Sequence, residues 1–92
     1  MYVSLREYRT KDNAEIARRA QEGFIPLVRD VPGFAAYYMI DAGEKFFTVT
    51  LAEDEAGVEA SAEKAREWVQ ANAAELVEGA AVVSNGEVVA QS

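Results

Sequence analysis

Residues 33–40 read GFAAYYMI, and residues 45–52 read KFFTVTLA. A strand with one face in water alternates apolar and polar side chains, because successive side chains point to opposite faces of the sheet. Neither stretch alternates in this way. The connection DAGE at residues 41–44 predicts that the two strands form a hairpin. The sheet that contains them therefore needs apolar cover on both faces.

The remaining segments predict two more strands and two helices. Residues 2–9 alternate, with Val3 and Leu5 on one face and a second set on the other: Tyr2, Ser4, Arg6 and Tyr8. Apolar residues at spacings of three and four predict a first helix with the stripe Ile16, Ala20, Phe24, Leu27, Val28 and Val31. The same spacing predicts a second helix with the stripe Val58, Ala62, Ala65, Val69, Ala73 and Leu76. Residues 80–91, AAVVSNGEVVAQ, predict one final strand with a bulge or kink at Asn85–Gly86.

The first helix carries signals for its start and for a bend. Asp12 followed by Glu15 predicts a capping box, in which each acidic side chain accepts a hydrogen bond from a backbone N–H of the first turn. Pro26 has no N–H for the preceding turn, so we expect the helix to bend at or just before this residue. The bend is expected to let both Phe24 and Leu27 reach the core.

These elements follow in the order βαββαβ, which is the order of a ferredoxin-like α+β fold with a four-stranded antiparallel sheet and both helices on one face. Two helices cover only one face of the sheet. The other face would be a contiguous apolar surface, which is uncommon on a monomer. We therefore expect a single domain over residues 1–92 that forms a homodimer, in which a second copy of the chain covers the open face.

Composition limits the partners of the protein. The 92 residues include nine basic and sixteen acidic ones, which gives a formal net charge of −7. This charge repels nucleic acid and anionic lipid headgroups, so neither nucleic acid nor a membrane is an expected partner. No apolar run approaches the ~20 residues that span a bilayer, and the start MYVSLREYRT lacks the pattern of a signal peptide. The prediction is a cytoplasmic protein.

The sequence contains neither histidine nor cysteine. The usual ligands of zinc, copper and haem iron are therefore missing, as is the commonest general base near neutral pH. We expect no metal and no cofactor. The acidic cluster EDE at residues 53–55 precedes the second helix, where like charges typically form a solvated cap.

Four stretches together resemble the antibiotic biosynthesis monooxygenase-like group of small dimeric α/β-barrel proteins. They are PGFAAYYMI after a helix that contains proline, KFFTVTLAEDEAGVEAS leading into the second helix, AREWV within that helix, and GEVV in the last strand. The resemblance covers nearly the whole chain and implies that two ferredoxin-like sheets pair through their open faces. Members of the group include cofactor-independent oxygenases of aromatic polyketides, haem-degrading enzymes that hold iron through a histidine, and proteins with no known reaction. The absence of histidine disfavours the haem-degrading branch.

The oxygenases of this group place Trp, Asn, Tyr and Arg around a pocket between the helices and the sheet. By resemblance, the candidate substrate-binding residues are Trp68, Asn72, Tyr38, Arg6 and Phe24. An indole offers a flat apolar wall, and a carboxamide offers hydrogen-bond donors and acceptors. The alternative is that Trp68 only fills the gap between helix and sheet while Asn72 faces water.

Two of these assignments depend on the faces of the strands. Tyr37 and Tyr38 point to opposite faces, so at most one of them lines a pocket on the helix side. An arginine such as Arg6 that points into a partly apolar interior needs a carboxylate partner or an anionic ligand. Asp41 and Glu53 are candidate carboxylate partners, and a structural ion pair is the favoured interpretation of Arg6.

Two classes of function remain. The first is a cofactor-free oxygenase or isomerase, in which an electron-rich aromatic or polyketide-like substrate supplies the reducing power and the protein supplies a dry, orienting pocket. The second is a non-catalytic dimeric protein that binds a small molecule or assists another protein. A substrate-sized pocket on which Trp68 and Asn72 converge would favour the enzyme, and a pocket filled by Trp68, Phe24 and Phe47 would favour the second class.

Overall fold

The computed structural model describes residues 1–92 as four strands and three α-helices. They are β1 (Tyr2–Thr10), α1 (Asn13–Gly23), α2 (Ile25–Val28), β2 (Phe34–Asp41), β3 (Phe46–Ala52), α3 (Glu55–Asn72) and β4 (Val77–Glu87), with a 3₁₀ turn at Ala74–Leu76. The strands form one antiparallel sheet in the order β2-β3-β1-β4. This confirms the predicted ferredoxin-like α+β fold, with the first predicted helix divided into α1 and α2. None of the helices combines the length and the apolar character needed to cross a membrane.

The pairing register arranges side chains in rows that cross the sheet. Two rows on the side of the helices consist of Tyr37, Thr50, Ser4 and Asn85, and of Met39, Thr48, Arg6 and Val83. Two rows on the opposite side consist of Tyr38, Val49, Leu5 and Ser84, and of Ile40, Phe47, Glu7 and Val82. We call the first side the helix face and the second side the open face. The register thus settles which adjacent tyrosine faces which way.

The open face is apolar and exposed. Among its side chains, Val82 is 64% exposed, Tyr38 56%, Leu5 47% and Ile40 44%. A shallow depression of about 410 Å³ runs over this face and contains Phe47 in its floor. Apolar exposure on this scale in neighbouring strands agrees with the expectation that the sheet has no polar face.

The core lies between the helix face and the helices. It is a cluster of nine buried apolar residues: Ile16, Ala20, Phe24, Val28, Val31, Phe46, Ala65, Trp68 and Ala73. Both α1 and α3 contribute to this cluster, so the same side chains that exclude water also fix the two helices against the sheet.

The break in the first helix occurs where Pro26 predicts it. Helix α1 ends at Gly23, and the short helix α2 begins at Ile25 with the proline in its first turn. The break brings Phe24 fully into the core, but Leu27 is 50% exposed, so the expectation that both reach the core is wrong. The new helix turns Val28 inward, and its neighbour Leu27 lies about 100° away around the axis.

The start of α1 has one half of the predicted capping box. The carboxylate of Asp12 accepts a hydrogen bond from the backbone N of Glu15 at 3.0 Å. The carboxylate of Glu15 does not return to the cap, because it forms ion pairs with Arg18 and Arg19. The cap therefore satisfies one backbone donor of the first turn instead of two.

Helix α3 turns a different stripe to the core from the one that the sequence predicts. Its buried residues include Val58 and Ala65, as predicted, but also Ser61 and Trp68, while Val69 is only partly buried. The hydroxyl of Ser61 donates a hydrogen bond to the carbonyl oxygen of Gly57 at 2.8 Å. Since the helix itself satisfies this hydroxyl, the serine needs no water and can lie in the buried stripe.

Strand β4 is single, as predicted, but its irregularity lies elsewhere. Asn85 and Gly86 pair regularly with Ser4 and Val3, so the predicted bulge at Asn85–Gly86 is wrong. The register instead shifts between Glu78 and Val82, where the intervening Gly79 has a φ of +72°. That left-handed conformation is open to glycine at no steric cost, which explains why the bulge forms there.

Candidate functional site

A cleft opens between α3 and the edge of the sheet formed by β1 and β4. It has a volume of about 450 Å³. Ten residues line it: Arg6, Tyr8, Arg66, Val69, Gln70, Ala74, Val77, Gly79, Ala80 and Ala81. Most of them are apolar, and the polar ones are arginine, tyrosine and glutamine. We call this feature the α3–β4 cleft.

The bulge in β4 is the local reason for the cleft. The stretch Gly79–Ala81, where the register shifts, forms one wall, and its three residues carry at most a methyl group. Opposite them, Val69 on α3 is only partly buried, because Trp68 takes the core position of the helix. Small side chains on a bulged edge strand thus leave space that a regular strand with larger side chains would fill.

The inner wall of the cleft is apolar and leads towards the core. Behind Tyr8, Val69 and Val77 lies a second cavity of only about 20 Å³. That space is about the size of one water molecule and is lined almost wholly by apolar residues. The α3–β4 cleft, unlike this inner cavity, has room for a small organic molecule.

One end of the cleft is charged. Arg6 and Arg66 line both the cleft and an adjoining depression of about 220 Å³ that also contains Glu59, Glu63 and Asn85. Arg66 forms an ion pair with Glu63. The hydrogen bond from Arg66 is the main cause that holds the pKa of Glu63 below its usual range, and the more distant charge of Arg6 acts in the same direction. Glu63 is therefore ionised at neutral pH.

Arg6 has no ion-pair partner in the protein. None of the six ion pairs in the structure includes it, and its buried Nε atom has no hydrogen-bond partner. Asp41 instead accepts hydrogen bonds from Asn13 Nδ2 at 2.7 Å and from the backbone N of Gly43 at 3.0 Å. Neither Asp41 nor Glu53 forms an ion pair. The predicted structural ion pair of Arg6 with Asp41 or Glu53 is therefore wrong.

Trp68 and Phe24 lie in the core. Trp68 is 8% exposed and packs on Phe24, with ring centroids 5.9 Å apart. Its Nε1 atom also lies close to the backbone of Gly23, where an added Cβ would approach to 3.1 Å. Trp68 thus packs between α3 and the end of α1. It does not line the α3–β4 cleft.

Asn72 and Tyr38 lie on two other surfaces. The side chain of Asn72 donates a hydrogen bond to the carbonyl oxygen of Trp68 at 3.0 Å. The backbone carbonyl oxygen of Asn72 accepts one from the side chain of Arg19 at 2.8 Å. With Trp68 it lines a shallow depression of about 300 Å³ between α1 and α3. Tyr38 lies on the open face, whereas Tyr37 faces the helices. Of the five residues nominated from the sequence, the structure brings only Arg6 into the α3–β4 cleft.

The cleft also contains residues that were not among the five candidates predicted from the sequence. Arg66 and Gln70 are four residues apart on α3 and therefore share a face, and Tyr8 lies two residues after Arg6 on the helix face of β1. These spacings were visible in the sequence. The contribution of Val77 and of the bulge to the cleft was not visible in the sequence, because it depends on where β4 meets α3.

No protein-family model and no curated protein matches this sequence. Solved structures do match it. The NE2512 protein of unknown function from Nitrosomonas europaea is 23% identical over 99% of this chain and 91% of that chain, with a TM-score of 0.80. An MhuD mutant with two manganese protoporphyrin IX molecules bound per active site is 19% identical over 100% and 98% of the two chains, with a TM-score of 0.76. The monooxygenase from the gene ActVA-Orf6 of Streptomyces coelicolor, in complex with nanaomycin D, is 14% identical over 98% and 92%, with a TM-score of 0.74.

The cleft offers neither a histidine nor a cysteine ligand to a haem group. The chain has no histidine and no cysteine, and the polar side chains of the cleft are those of Arg6, Arg66, Gln70 and Tyr8. Neither guanidinium nor carboxamide nitrogen is an ordinary ligand of haem iron, and the phenol of Tyr8 is the one polar group of the cleft that is of a ligating type. No group of three or more His, Cys, Asp or Glu side chains in the structure is arranged to hold a metal ion.

The likeness to these solved structures is a likeness of fold. Each similarity extends over at least 98% of this chain, while the identities stay below 25%. The similarity therefore includes the sheet and the helices, and it is a similarity of backbone architecture. The chain has the fold of the antibiotic biosynthesis monooxygenase-like proteins, the group that its sequence resembles.

Proposed function

We propose that the protein binds a small, flat, mostly apolar molecule in the α3–β4 cleft and oxidises it as a cofactor-independent monooxygenase-like enzyme. The observation that carries the proposal is the cleft itself, with Val69, Val77 and the small residues of β4 around an apolar body and polar groups at one end. Ligand pockets typically combine an apolar lining with a few placed polar groups. Solved relatives of the same fold bind flat molecules, a porphyrin in one and nanaomycin D in the other.

The chemistry that suits these residues leaves the reducing power to the substrate. An electron-rich ring system with an activated CH₂ group reacts with O₂ so that the carbon becomes a carbonyl. One oxygen atom enters that carbonyl, and the other leaves as water with the two hydrogens of the carbon. The substrate supplies all four electrons, so no metal or cofactor enters the balance. The protein excludes water and orients the substrate for O₂.

The proposal includes a homodimer that forms through the open face. Tyr38, Leu5, Ile40 and Val82 are each more than two-fifths exposed on this face. A second copy that covers them removes their apolar surface from water, which is the main driving force of association. The α3–β4 cleft lies on the other side of the sheet, so each protomer keeps its own cleft.

We assign a supporting role to three residues that do not line the cleft: Trp68, Phe24 and Asn72. Trp68 and Phe24 pack α3 against the end of α1, and Asn72 bonds to the last turn of α3. In this role they fix the helix that forms one wall of the cleft, and Arg6 contacts the ligand. Tyr38 belongs to the proposed dimer interface.

The test combines binding with oxygen uptake. Anthrone serves as the probe substrate and 2-naphthamide as an inert probe ligand. We expect naphthamide to bind by calorimetry, and anthrone to consume one O₂ for each anthraquinone formed, without added metal. Gln70→Trp, which fills the cleft, should abolish both. Lys64→Trp is the matched control, because Lys64 is an exposed residue of α3 that does not line the cleft.

A non-catalytic binding protein is the second candidate, and one observation favours it. The cleft has no side chain of a type that titrates near neutral pH, and Glu63 is held ionised by Arg66. Naphthamide binding that Gln70→Trp abolishes, without oxygen uptake by anthrone, would support this candidate. If neither naphthamide nor its carboxylate analogue 2-naphthoate binds, both candidates fail.

A further inference from the structure

We infer that the ligand of the α3–β4 cleft carries a carboxylate, which Arg6 and Arg66 bind at the charged end of the cleft. This inference rests on the proposed function, since it concerns the chemical class of the molecule that the cleft holds. The apolar lining of the cleft does not explain why two arginines lie at one end of it.

The guanidinium of Arg6 has one buried nitrogen, Nε, that lacks a hydrogen-bond partner. The side chain is partly buried, its Nε atom is inaccessible to water and without a partner, and no carboxylate lies within ion-pair distance. A charged group removed from water is costly unless an opposite charge or hydrogen bonds compensate it. The fork of an arginine matches the two oxygens of a carboxylate, so a bound carboxylate is the partner that suits this group best.

Ser4 is the neighbour of Arg6 on the same face of β1. The hydroxyl of Ser4 is buried, with only 1% of the residue exposed, and it also lacks a hydrogen-bond partner. Ser4 stands directly opposite Asn85 on β4, and Asn85 lines the depression next to Arg6. The two buried side-chain atoms that lack partners in this protein therefore belong to adjacent positions of one strand face.

Two arginines and two glutamates determine the charge at this end of the cleft. Arg66 lines the cleft together with Arg6 but is already paired with Glu63. That pair is exposed, with 60% of the arginine side chain and 51% of the glutamate side chain accessible, so it is weak and can exchange partners. Glu59 is the other acidic residue there. A ligand carboxylate therefore competes with Glu63 for Arg66 and meets no competitor within ion-pair distance at Arg6.

The experiment compares two ligands of the same shape. Dissociation constants of 2-naphthoate and 2-naphthamide are measured by calorimetry with the full chain at pH 7. We expect naphthoate to bind at least about tenfold more tightly, as for a charge-assisted hydrogen bond in a partly buried site. Arg6→Gln should bring the two affinities within about twofold of each other, by weakening naphthoate and leaving naphthamide unchanged. Arg29→Gln is the matched control, because Arg29 is exposed and lines no part of the cleft.

Two further variants keep the test decisive if Arg6→Gln does not fold. Arg6→Lys retains the charge without the fork and should retain only part of the preference for naphthoate. Glu63→Gln removes the competitor of the ligand and should tighten naphthoate without affecting naphthamide. Equal affinities in the wild-type protein overturn the inference and leave the proposed function intact. A preference for naphthoate that neither Arg6→Lys nor Glu63→Gln alters also overturns it, and the failure of both ligands to bind overturns the inference together with the proposed function.

Discussion

The ring of Phe24 stands edge-on to the ring of Tyr37, with centroids 5.0 Å apart and planes inclined by 68°. This contact joins the break between α1 and α2 to β2. Phe24 also packs on Trp68 of α3, with ring centroids 5.9 Å apart. One side chain at the helix break thus connects three elements, and edge-to-face aromatic pairs add to the stabilisation that burial provides.

Phe24→Ala should therefore be strongly destabilising. Removal of a fully buried aromatic ring from a close-packed core costs about 3–5 kcal/mol of the free energy of unfolding. Leu27→Ala, one helical turn away and half exposed, should cost less than about 1 kcal/mol. Urea unfolding followed by circular dichroism measures both values. Equal losses in the two variants would contradict the assignment of Phe24 to the core and Leu27 to the surface.

Tyr37 should not ionise where an exposed tyrosine does. Burial raises the pKa of its phenol well above the ordinary value. The folded state therefore keeps the proton while the unfolded state loses it above about pH 10, so this residue makes the protein less stable as the pH rises above that value and has no such effect below it.

The variant Tyr37→Phe tests this ionisation. It should leave the tyrosinate absorbance of the folded protein between about pH 9 and 11 unchanged, because the phenol of Tyr37 contributes nothing there. The stability difference between wild type and variant should be constant below about pH 10 and should shift against the wild type above it. A tyrosinate signal that disappears with Tyr37 while the protein is still folded would show that the phenol is accessible.

The protein should sediment as a dimer at micromolar concentration. Val49→Glu places a charge in the middle of the open face, in the row that contains Tyr38 and Leu5, and should give the mass of one chain. Val89→Glu makes the same change at a residue that is 90% exposed and lies beyond β4, and should leave the mass unchanged. Sedimentation equilibrium measures the masses. A wild-type protein that stays monomeric would remove the need for a second copy over this face.

The variants Trp68→Phe and Asn72→Leu distinguish between two binding sites. One is the site predicted from the sequence, and the other is the cleft in the structure. Both residues lie between α1 and α3 and not in the α3–β4 cleft, so we expect each variant to bind naphthamide within about twofold of wild type. Trp68→Phe should still lower the melting temperature, because it removes buried contacts with Phe24 and Gly23. A tenfold loss of affinity in a folded Trp68→Phe protein would restore the interpretation of Trp68 as a ligand wall.

The parts of the fold that local signals determine were predictable from the sequence. The hairpin follows from DAGE, and in the structure the backbone N of Ala42 donates to the carbonyl oxygen of Lys45 at 3.0 Å. The helix break follows from Pro26, because proline has no backbone N–H to donate in any structural context. The order of elements and the apolar open face follow from spacing alone, because side-chain direction repeats every 2 residues in a strand and every 3.6 in a helix.

The parts that depend on packing between distant elements were not predictable. Tyr37 and Tyr38 are equally suited to either face, and only the register of β2 against β3 distinguishes them. On α3, Ser61 bonds to its own helix and lies in the buried stripe. The prediction assigned only apolar residues to that stripe, so it placed part of the stripe wrongly and left Trp68 out of it. The cleft arises where a bulge in β4 meets this rotated helix, and no single segment of sequence contains that information.

The two outer strands of the sheet both lose their regular spacing at one point, β4 near Gly79 and β2 at Ala35 between Phe34 and Ala36. An outer strand offers unpaired backbone N–H and C=O groups, and a long regular one is a template on which strands of other molecules can add. A bulge twists the strand and interrupts that template. The two bulges therefore disfavour growth of the sheet into longer ribbons. The proposed face-to-face dimer would, by contrast, be a closed and finite assembly.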